Sequence, residues 1–450
     1  MAHTNLMTIR KNAITAYTLL GTSAILYIAL AYATPRENFT QLLLLFGSCF
    51  IAYVYVITQR LPVWHGITAA IVFRVLFLFA TPQLSDDYFR FIWDGRLLAA
   101  GINPYLYLPE YFMQQGQEAI AGINQALYSQ LNSPGSLSIS PPIAQAVFWL
   151  SVKISPDSIA GSVVVMRLVL IVADVLGILL LLRLLRKTGL PDGYVLLYAL
   201  NPLVILELTG NLHFEGLLIF FLLLSLIQLL YQRAIWAGCA FGLAAGVHLL
   251  PLLFLPFIWR KLGTPKFLYF IVAAALTLLV ICYPLINAAV LQNIGNWLEL
   301  YFKRPEFNAS IYFILRWVGI KMTGYNQVHF IIPLLSIAII GITVALAAVK
   351  KLGSVKRLIG YMAAALTVFL LLSTTVHPWY LITLVALTAV GLFRFAIVWS
   401  GLAILSYATY RTAPAGHDLA LVTLEYTIVL LWLLVEIYLY RQRRRHANLK

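Results

Sequence analysis

Charge is scarce in this sequence. Only 10% of its 450 residues are Asp, Glu, Lys or Arg, against roughly a quarter in an ordinary soluble domain. Hydrophobic residues make up 62%, and the mean hydropathy is +0.88. A soluble globule cannot hide that much apolar surface, and disordered or fibrous chains do not carry it. Cysteine is nearly absent. Cys49, Cys239 and Cys282 all lie in apolar runs and read as packing residues, not disulfides or metal ligands. There is no glycine-rich phosphate loop, no internal repeat, no low-complexity tract and no polar segment long enough for a separate soluble domain.

What is present is a succession of apolar runs. A membrane-crossing helix needs about 17–25 such residues. Candidate crossings are 14–33, 39–58, 63–81, 160–182, 193–209, 212–231, 266–288, 326–349, 357–376, 378–393, 395–410 and 419–440. The first follows Arg10 and Lys11 and ends Ala31-Tyr32-Ala33, as a secretory signal would, but its length reads as a retained span. Residues 138–153 open with Pro141-Pro142 and are too short to cross. They read as a juxtamembrane or re-entrant helix. Residues 236–259 carry basic residues at both ends and prolines at 251 and 256, and read as a hairpin of two short helices. With these two assignments the clusters Arg183/Arg186/Lys187, Arg260/Lys261/Lys266, Lys350/Lys351/Lys356/Arg357 and Arg441/Arg443/Arg444/Arg445 all become cytoplasmic. The net charge of +15 is thereby explained by topology, and no nucleic-acid partner is implied.

The expected fold is an all-α polytopic membrane protein of 12–14 spans. It forms one domain: N-terminal spans (1–81), an outer loop with amphipathic juxtamembrane helices (82–159), central spans (160–288), a second outer loop (289–325) and C-terminal spans (326–450). Nearly all acidic loop residues fall on the outer side; only Asp192 is cytoplasmic. Loops this long are usually functional, so the working face is expected to be extracytoplasmic, as in a bacterial cell membrane.

Chemistry is concentrated in a few motifs. Ser85-Asp86-Asp87-Tyr88-Phe89-Arg90-Phe91-Ile92-Trp93-Asp94-Gly95 reads as an amphipathic helix capped by Ser85. Asp87, Arg90 and Asp94 share one face, and Phe89, Ile92, Trp93 and Leu97 the other. Adjacent carboxylates at a span exit sit beside hydrocarbon, which an anchor helix does not require. They suit a general base for a sugar hydroxyl, or a cation site. Gly101-Ile102-Asn103-Pro104-Tyr105 reads as a structural turn. Asn211, His213 and Glu215 crowd an outer corner; two such ligands do not make a metal site. His248 interrupts an apolar hairpin and reads as a core residue or a headgroup contact. The stretch from Tyr301 to Arg316 is basic and aromatic; Arg316 suits a phosphate, the rest an aromatic belt. His377-Pro378-Trp379-Tyr380 opens a span, and Arg411 and His417-Asp418 lie in the last outer loop. Arg74, Arg167 and Asp174 read as intramembrane charges neutralising one another, with Arg167 and Asp174 on one helix face.

Taken in order, Ser-Asp-Asp-Tyr, Trp-Asp-Gly, Gly-Ile-Asn-Pro-Tyr, Pro141-Pro142, Asn201-Pro202, Glu207, Asn211, His213 and His377-Pro378-Trp379-Tyr380 resemble the GT-C superfamily of membrane glycosyltransferases, over roughly residues 80–385. The resemblance is to bacterial polyprenyl-phosphate-mannose-dependent mannosyltransferases. It implies a hexose, mannose by this likeness, moved from a polyprenyl-phosphate donor to a glycan or glycolipid acceptor among membrane lipids, with inversion at the anomeric carbon. Relatives have Ser-x-Asp-x-Tyr here, which favours Asp87 as base with Asp86 second. The resemblance places Asp94, Arg90, Asn211, His213, Glu215, His377, Trp379 and Tyr380 around the sugar. Relatives often carry a lysine where this chain has His248, so the lipid phosphate is expected to face His248, Arg316 or Arg411. No cofactor is implied; a divalent metal stays open. A transporter or flippase for a lipid-linked or anionic substrate is the alternative, and it predicts matched repeats and polar groups at mid-membrane. A non-catalytic scaffold would tolerate Asn at both 86 and 87.

Overall fold

A computed structural model describes residues 2–59, 61–114, 120–292, 306–348, 352–391, 393–411, 416 and 418–448. The stretch Tyr301–Arg304, Glu118, Glu299, Lys350, Lys351 and His417 lie outside the described residues. The protein is an all-α polytopic membrane protein. Among the described residues there is no strand, only a parallel bridge between Phe307 and Thr375.

Among the described residues, seven helices are long and apolar enough to cross a membrane: Asn12–Tyr32 (the apolar part of Ala2–Tyr32), Phe39–Thr58, Ile159–Lys187, Thr264–Cys282, Val328–Ala348, Val355–Leu372 and Leu419–Arg443 (within Leu419–Asn448). Hydrocarbon offers the backbone no partner, so helices that satisfy their own N–H and C=O groups are what spans it. Side-chain caps set several starts. Asn38 accepts from Gln41 N, Ser158 from Gly161 N and Ser354 from Arg357 N.

By length, then, fewer helices qualify than the 12–14 crossings expected. The run 193–209 bends by 54° between Asp192–Ala199 and Pro202–Gly210, because Pro202 lacks an N–H and the Asn201 side chain caps a new helix there. The remaining apolar runs form the shorter helices Val63–Leu76, Glu215–Leu230, Ala234–Val247 and Pro378–Val390. The last expected span before the terminal one divides into Phe395–Leu402 and a 3-10 segment, Ala403–Arg411. The 236–259 segment does break. Helix Ala234–Val247 stops at His248, which is extended, and a 3-10 turn leads into Leu255–Leu262. Gly238 and Gly242 let Ala234–Val247 press against the carbonyls of Phe270 and Ala274, the close approach that small residues four apart permit.

The segment expected as the first outer loop packs in its own apolar core of Tyr88, Ile92, Trp93, Leu97 and Phe148 with Met166, separate from the main bundle core. The Asp87 helix (Asp87–Ala99) lies against the Pro-Pro helix (Pro142–Ile154). Gly95 makes this possible, since a Cβ there would stand 2.5 Å from the Phe148 carbonyl oxygen. Phe91 stacks on Phe148 at 4.5 Å. The helix is not a surface float with one solvated face. Arg90 and Asp94 are buried because the chain around Ser133–Ser138 folds over them, and Arg96 is buried against the Gly122 and Pro156 carbonyls.

Candidate active site

Two connected loops build the site, and both are secured by one buried arginine. Arg167 donates to four backbone carbonyls: Leu78 (2.9 Å), Ala80 (2.6 Å), Thr209 (2.5 Å) and Gly210 (3.2 Å). The first two precede the Asp86-Asp87 turn. The other two end a π-helical turn, Leu206–Gly210. Single π turns cluster at functional sites. The chain leaves this one through Leu212, a buried non-glycine residue at φ 62°. That conformation is costly for a branched side chain and is held by its surroundings. Arg167 therefore does not neutralise Asp174. Asp174 pairs instead with Arg74 from the neighbouring helix and accepts from Tyr198 at 2.6 Å.

From the first loop, Asp87 reaches the mouth of the bundle with its side chain one-third exposed (34%). Its Oδ1 accepts from Asn132 Nδ2 at 2.6 Å, and its backbone N–H donates to Ser85 Oγ at 3.3 Å. From the second loop, His213 brings Nε2 to 3.8 Å from Asp87 Oδ2 and Nδ1 to 3.0 Å from Glu207 Oε2. Neither approach is aligned as a hydrogen bond, so the pairing is one of charge. Burial works against a charged imidazole, but the Asp87 and Glu207 carboxylates outweigh it and push His213 up to about 9. For Asp87 too, burial opposes ionisation; the His213, Asn132 and Ser85 contacts prevail and hold it below the usual carboxylate range. Glu207 also accepts from Tyr407 OH (2.8 Å) and Asn211 Nδ2 (3.0 Å). Glu215 is buried within electrostatic reach of His213.

A column of four rings backs this group. His213 stacks on Trp379 (3.7 Å between centroids), Trp379 on His377 (4.2 Å) and His377 on Phe307 (4.5 Å). Tyr380 meets both His377 and His248 edge-on. Phe307 is held there by the exchange of its N–H and C=O with Thr374 and Val376.

The other expected site residues separate from this group. Asp94 is fully buried and accepts from Arg90 Nε (2.9 Å), Gln145 Nε2 (2.9 Å) and Ser138 Oγ. Arg90 adds bonds to the Ser133 and Ser136 carbonyls. Burial raises the Asp94 pKa in spite of these donors. Both residues act as an internal brace in the structure. Arg316 is locked on Glu306, which also accepts from Tyr312 and Asn326. His248 Nδ1 accepts from Leu250 N–H. Arg411 stays at the rim, 41% exposed beside Asp418. Among the described residues no group of three or more His, Cys, Asp or Glu is placed to hold a metal ion.

One participant was read as a motif residue but not as a site residue, and three escape a sequence reading. Glu207 carried a usable signal, a carboxylate inside an apolar run. Asn132, Tyr407 and Arg36, which pairs with Asp86 at 2.5 Å, carried none; only folding brings them in.

The family model "Alpha-(1->6)-mannopyranosyltransferase, N-terminal domain" (MptA_B family) matches residues 11–262, more than half of the chain and the whole of both site loops. Comparison with curated proteins gave no match. The all-α membrane bundle is thus a glycosyltransferase. Within that class the chain belongs to the MptA_B family, and the group it moves is a mannosyl residue.

Proposed function

We propose that this mannosyltransferase takes mannose from a polyprenyl-phosphate donor and passes it to a glycan or glycolipid hydroxyl at the extracytoplasmic face, with inversion and with Asp87 as base. One observation carries the reading: Asp87 is kept ionised by His213 and Asn132, yet a third of its side chain stays open at the end of the bundle. As the acceptor oxygen bonds to the anomeric carbon, the carbon–oxygen bond to the phosphate breaks and its electron pair leaves with the phosphate. The hydroxyl proton passes to Asp87. Lipid phosphate is a good leaving group, so the acceptor loses its proton late and a weak carboxylate base suffices. The positive His213 stays beside Asp87 and orients it. The acceptor approaches on the face of the sugar opposite the phosphate, which is what inversion requires.

The direction of the long helices supports the outer face. Ile159–Lys187 leaves the site near Arg167 and ends in Arg183, Arg186 and Lys187. Leu419–Asn448 starts after Asp418 and ends in Arg441, Arg443 and Arg445. Val355–Leu372 starts with Lys356 and Arg357 and ends toward His377. All three place their basic end away from the site.

The test is sugar transfer by purified protein in nanodiscs, with radiolabelled polyprenyl-phosphate sugars and cell-envelope glycans as acceptors, with and without a chelator. Asp87→Asn is expected to lose about a hundred- to ten-thousand-fold in turnover, and Asp86→Asn far less. A folded Asp87→Asn protein that transfers mannose at the wild-type rate would overturn the assignment.

A further inference from the structure

At the basic end of the bundle, away from the site, three cations converge on one aromatic ring. Helix Ile159–Lys187 ends there, and so does Glu215–Leu230, which packs against it. A tight turn closes the second helix. Arg233 N–H donates to the Gln228 carbonyl and Gln232 N–H to the Leu229 carbonyl, with Gln232 at φ 59°. Glycine is the usual residue at that left-handed position. The turn folds Arg233 back toward Tyr231. Arg233 Cζ stands 5.7 Å from the centre of the Tyr231 ring, Arg183 Cζ 5.6 Å and Lys187 Nζ 5.9 Å. Arg183 also donates to the Tyr231 hydroxyl at 3.0 Å. Lys266 Nζ joins the group by donating to the Gln232 side-chain oxygen at 3.4 Å.

Membrane topology accounts for basic residues at this end, but it does not require them to meet. Positive side chains around one ring repel one another, and Arg183 and Lys187 do so again as neighbours four apart on one helix. Among the described residues no carboxylate pairs with Arg183, Lys187 or Arg233. Asp192, the acid of the adjoining loop, is taken by Arg186 through Nε (2.9 Å) and Nη2 (2.7 Å). The Tyr231 ring offsets the repulsion only in part. The surface that leads to the cluster is apolar. Leu168, Val172, Leu176 and Leu179 are exposed. Steps of four, four and three residues put them in one line, which reaches Arg183 four residues later. From Val172 to Arg183 that line runs about 17 Å at 1.5 Å per residue, close to the depth of one leaflet, about 15 Å. Ile235 and Trp236, just past Arg233, are exposed as well.

We propose that Arg183, Lys187 and Arg233 bind the headgroup of one anionic phospholipid, with an acyl chain along the line from Leu168 to Leu179. The headgroup phosphate supplies the counter-charge that the chain itself withholds, and the guanidinium forks match its oxygens. Basic pockets between membrane helices favour such headgroups. A zwitterionic headgroup brings a cation together with its phosphate and gains less where no carboxylate receives that cation. Tyr231 keeps the three positive groups around a common centre. Arg183 lies beyond Arg167 by about 24 Å along the same helix, so this lipid is distinct from the sugar donor. The inference does not depend on the donor being a lipid phosphate.

The experiment measures binding of short-chain phosphatidylglycerol to the full chain in detergent, with phosphatidylcholine of the same chain length as the zwitterionic control. Wild type is expected to favour phosphatidylglycerol about tenfold or more, at roughly a few-fold per cation. Arg183→Gln, Lys187→Gln and Arg233→Gln are each expected to lose a few-fold of that preference, and combined to bring it to about twofold or less. Tyr231→Leu keeps every charge and is expected to lose part of the preference. Arg441→Gln, Arg443→Gln and Arg445→Gln combined remove as much charge from the end of the last helix and are expected to leave the preference in place. Single variants that keep the wild-type unfolding temperature and the wild-type preference would overturn the site. Equal loss in the two triple variants would assign the preference to bulk charge and overturn it as well. Full displacement of phosphatidylglycerol by glycerol phosphate or inorganic phosphate would replace the lipid with a free anion.

Discussion

Asp87 and Asp94 lie two turns apart on one helix face. Asp94 is fully enclosed, and Arg90, Ser138 and Gln145 supply its hydrogen bonds. Asp87 receives one neutral donor and one unaligned positive neighbour, and opens to solvent. Burial raises the pKa of Asp94, while the positive neighbour and donors beside Asp87 lower its pKa. A carboxylate whose lone pairs are taken up by its own chain is a fastener. One held ionised with an open side can serve as the proposed base. The same face of one helix supplies both, because different loops close over its two ends.

Breaking the fastener has the largest expected effect on stability. Asp94→Ala leaves the Arg90 guanidinium buried beside Ser138 and Gln145 with its counter-charge gone. The expected cost is about 3–5 kcal/mol, read as a lowered unfolding temperature in detergent, with turnover per folded molecule largely kept. An unchanged unfolding temperature would show that the brace is dispensable. Asp87→Asn is its mirror image, with turnover lost and the unfolding temperature kept.

Arg167 sharpens the contrast from a distance. It touches neither carboxylate, but it ties the loop before Asp87 to the turn before His213. A lysine keeps the charge and cannot fork to four carbonyls. For Arg167→Lys, turnover is expected to fall about tenfold, the scale of effect a small misplacement of reacting groups produces, with both KM values nearly unchanged. Its acid limb is expected to move toward the ordinary carboxylate range as Asp87 draws away from His213. A purely structural arginine would lower stability and leave that limb in place.

The smallest effect expected is a matter of pH. His213 is raised to about 9, so its pairing with the carboxylates stabilises the fold fully below its ordinary value near 6.5. That contribution fades as the pH rises through about 9. Asp87 is lowered, so its contribution is present above the ordinary aspartate value and lost as the pH falls through the depressed one. Activity should therefore decline on the alkaline side near pH 9, by a few-fold if His213 acts only through the orientation of Asp87. His213→Gln should remove the alkaline limb; an unchanged limb in that variant would assign it to another group.

Much of the site was legible residue by residue. The paired aspartates, the Asn211–His213–Glu215 corner and the His377–Tyr380 stretch all announce themselves as polar groups at the ends of apolar runs. Their arrangement did not. A shared face, read from spacing, suggested that Arg167 meets Asp174, and the family resemblance suggested that Asp94 lines a sugar cavity. Spacing says which way a side chain starts out, not what the neighbouring element presents. Val63–Leu76 supplies Arg74 to Asp174, and the segment at Ser133–Ser138 closes over Asp94. The stack of His213 on Trp379 joins two motifs far apart in sequence. Their local composition explained one as a corner and the other as the opening of a span.

The sequence by itself determined that this protein is helical and lives in a membrane. Uninterrupted apolar runs leave hydrocarbon as the only fitting solvent, and hydrocarbon leaves the backbone little choice but helix. Which carboxylate is enclosed and which keeps an open side was decided only by the tertiary structure. A carboxylate's proton affinity and exposure depend on the donors and charges within a few ångströms. Here those come from the turn at Asn132, from His213 just after the π turn Leu206–Gly210, and from Ser138 and Gln145.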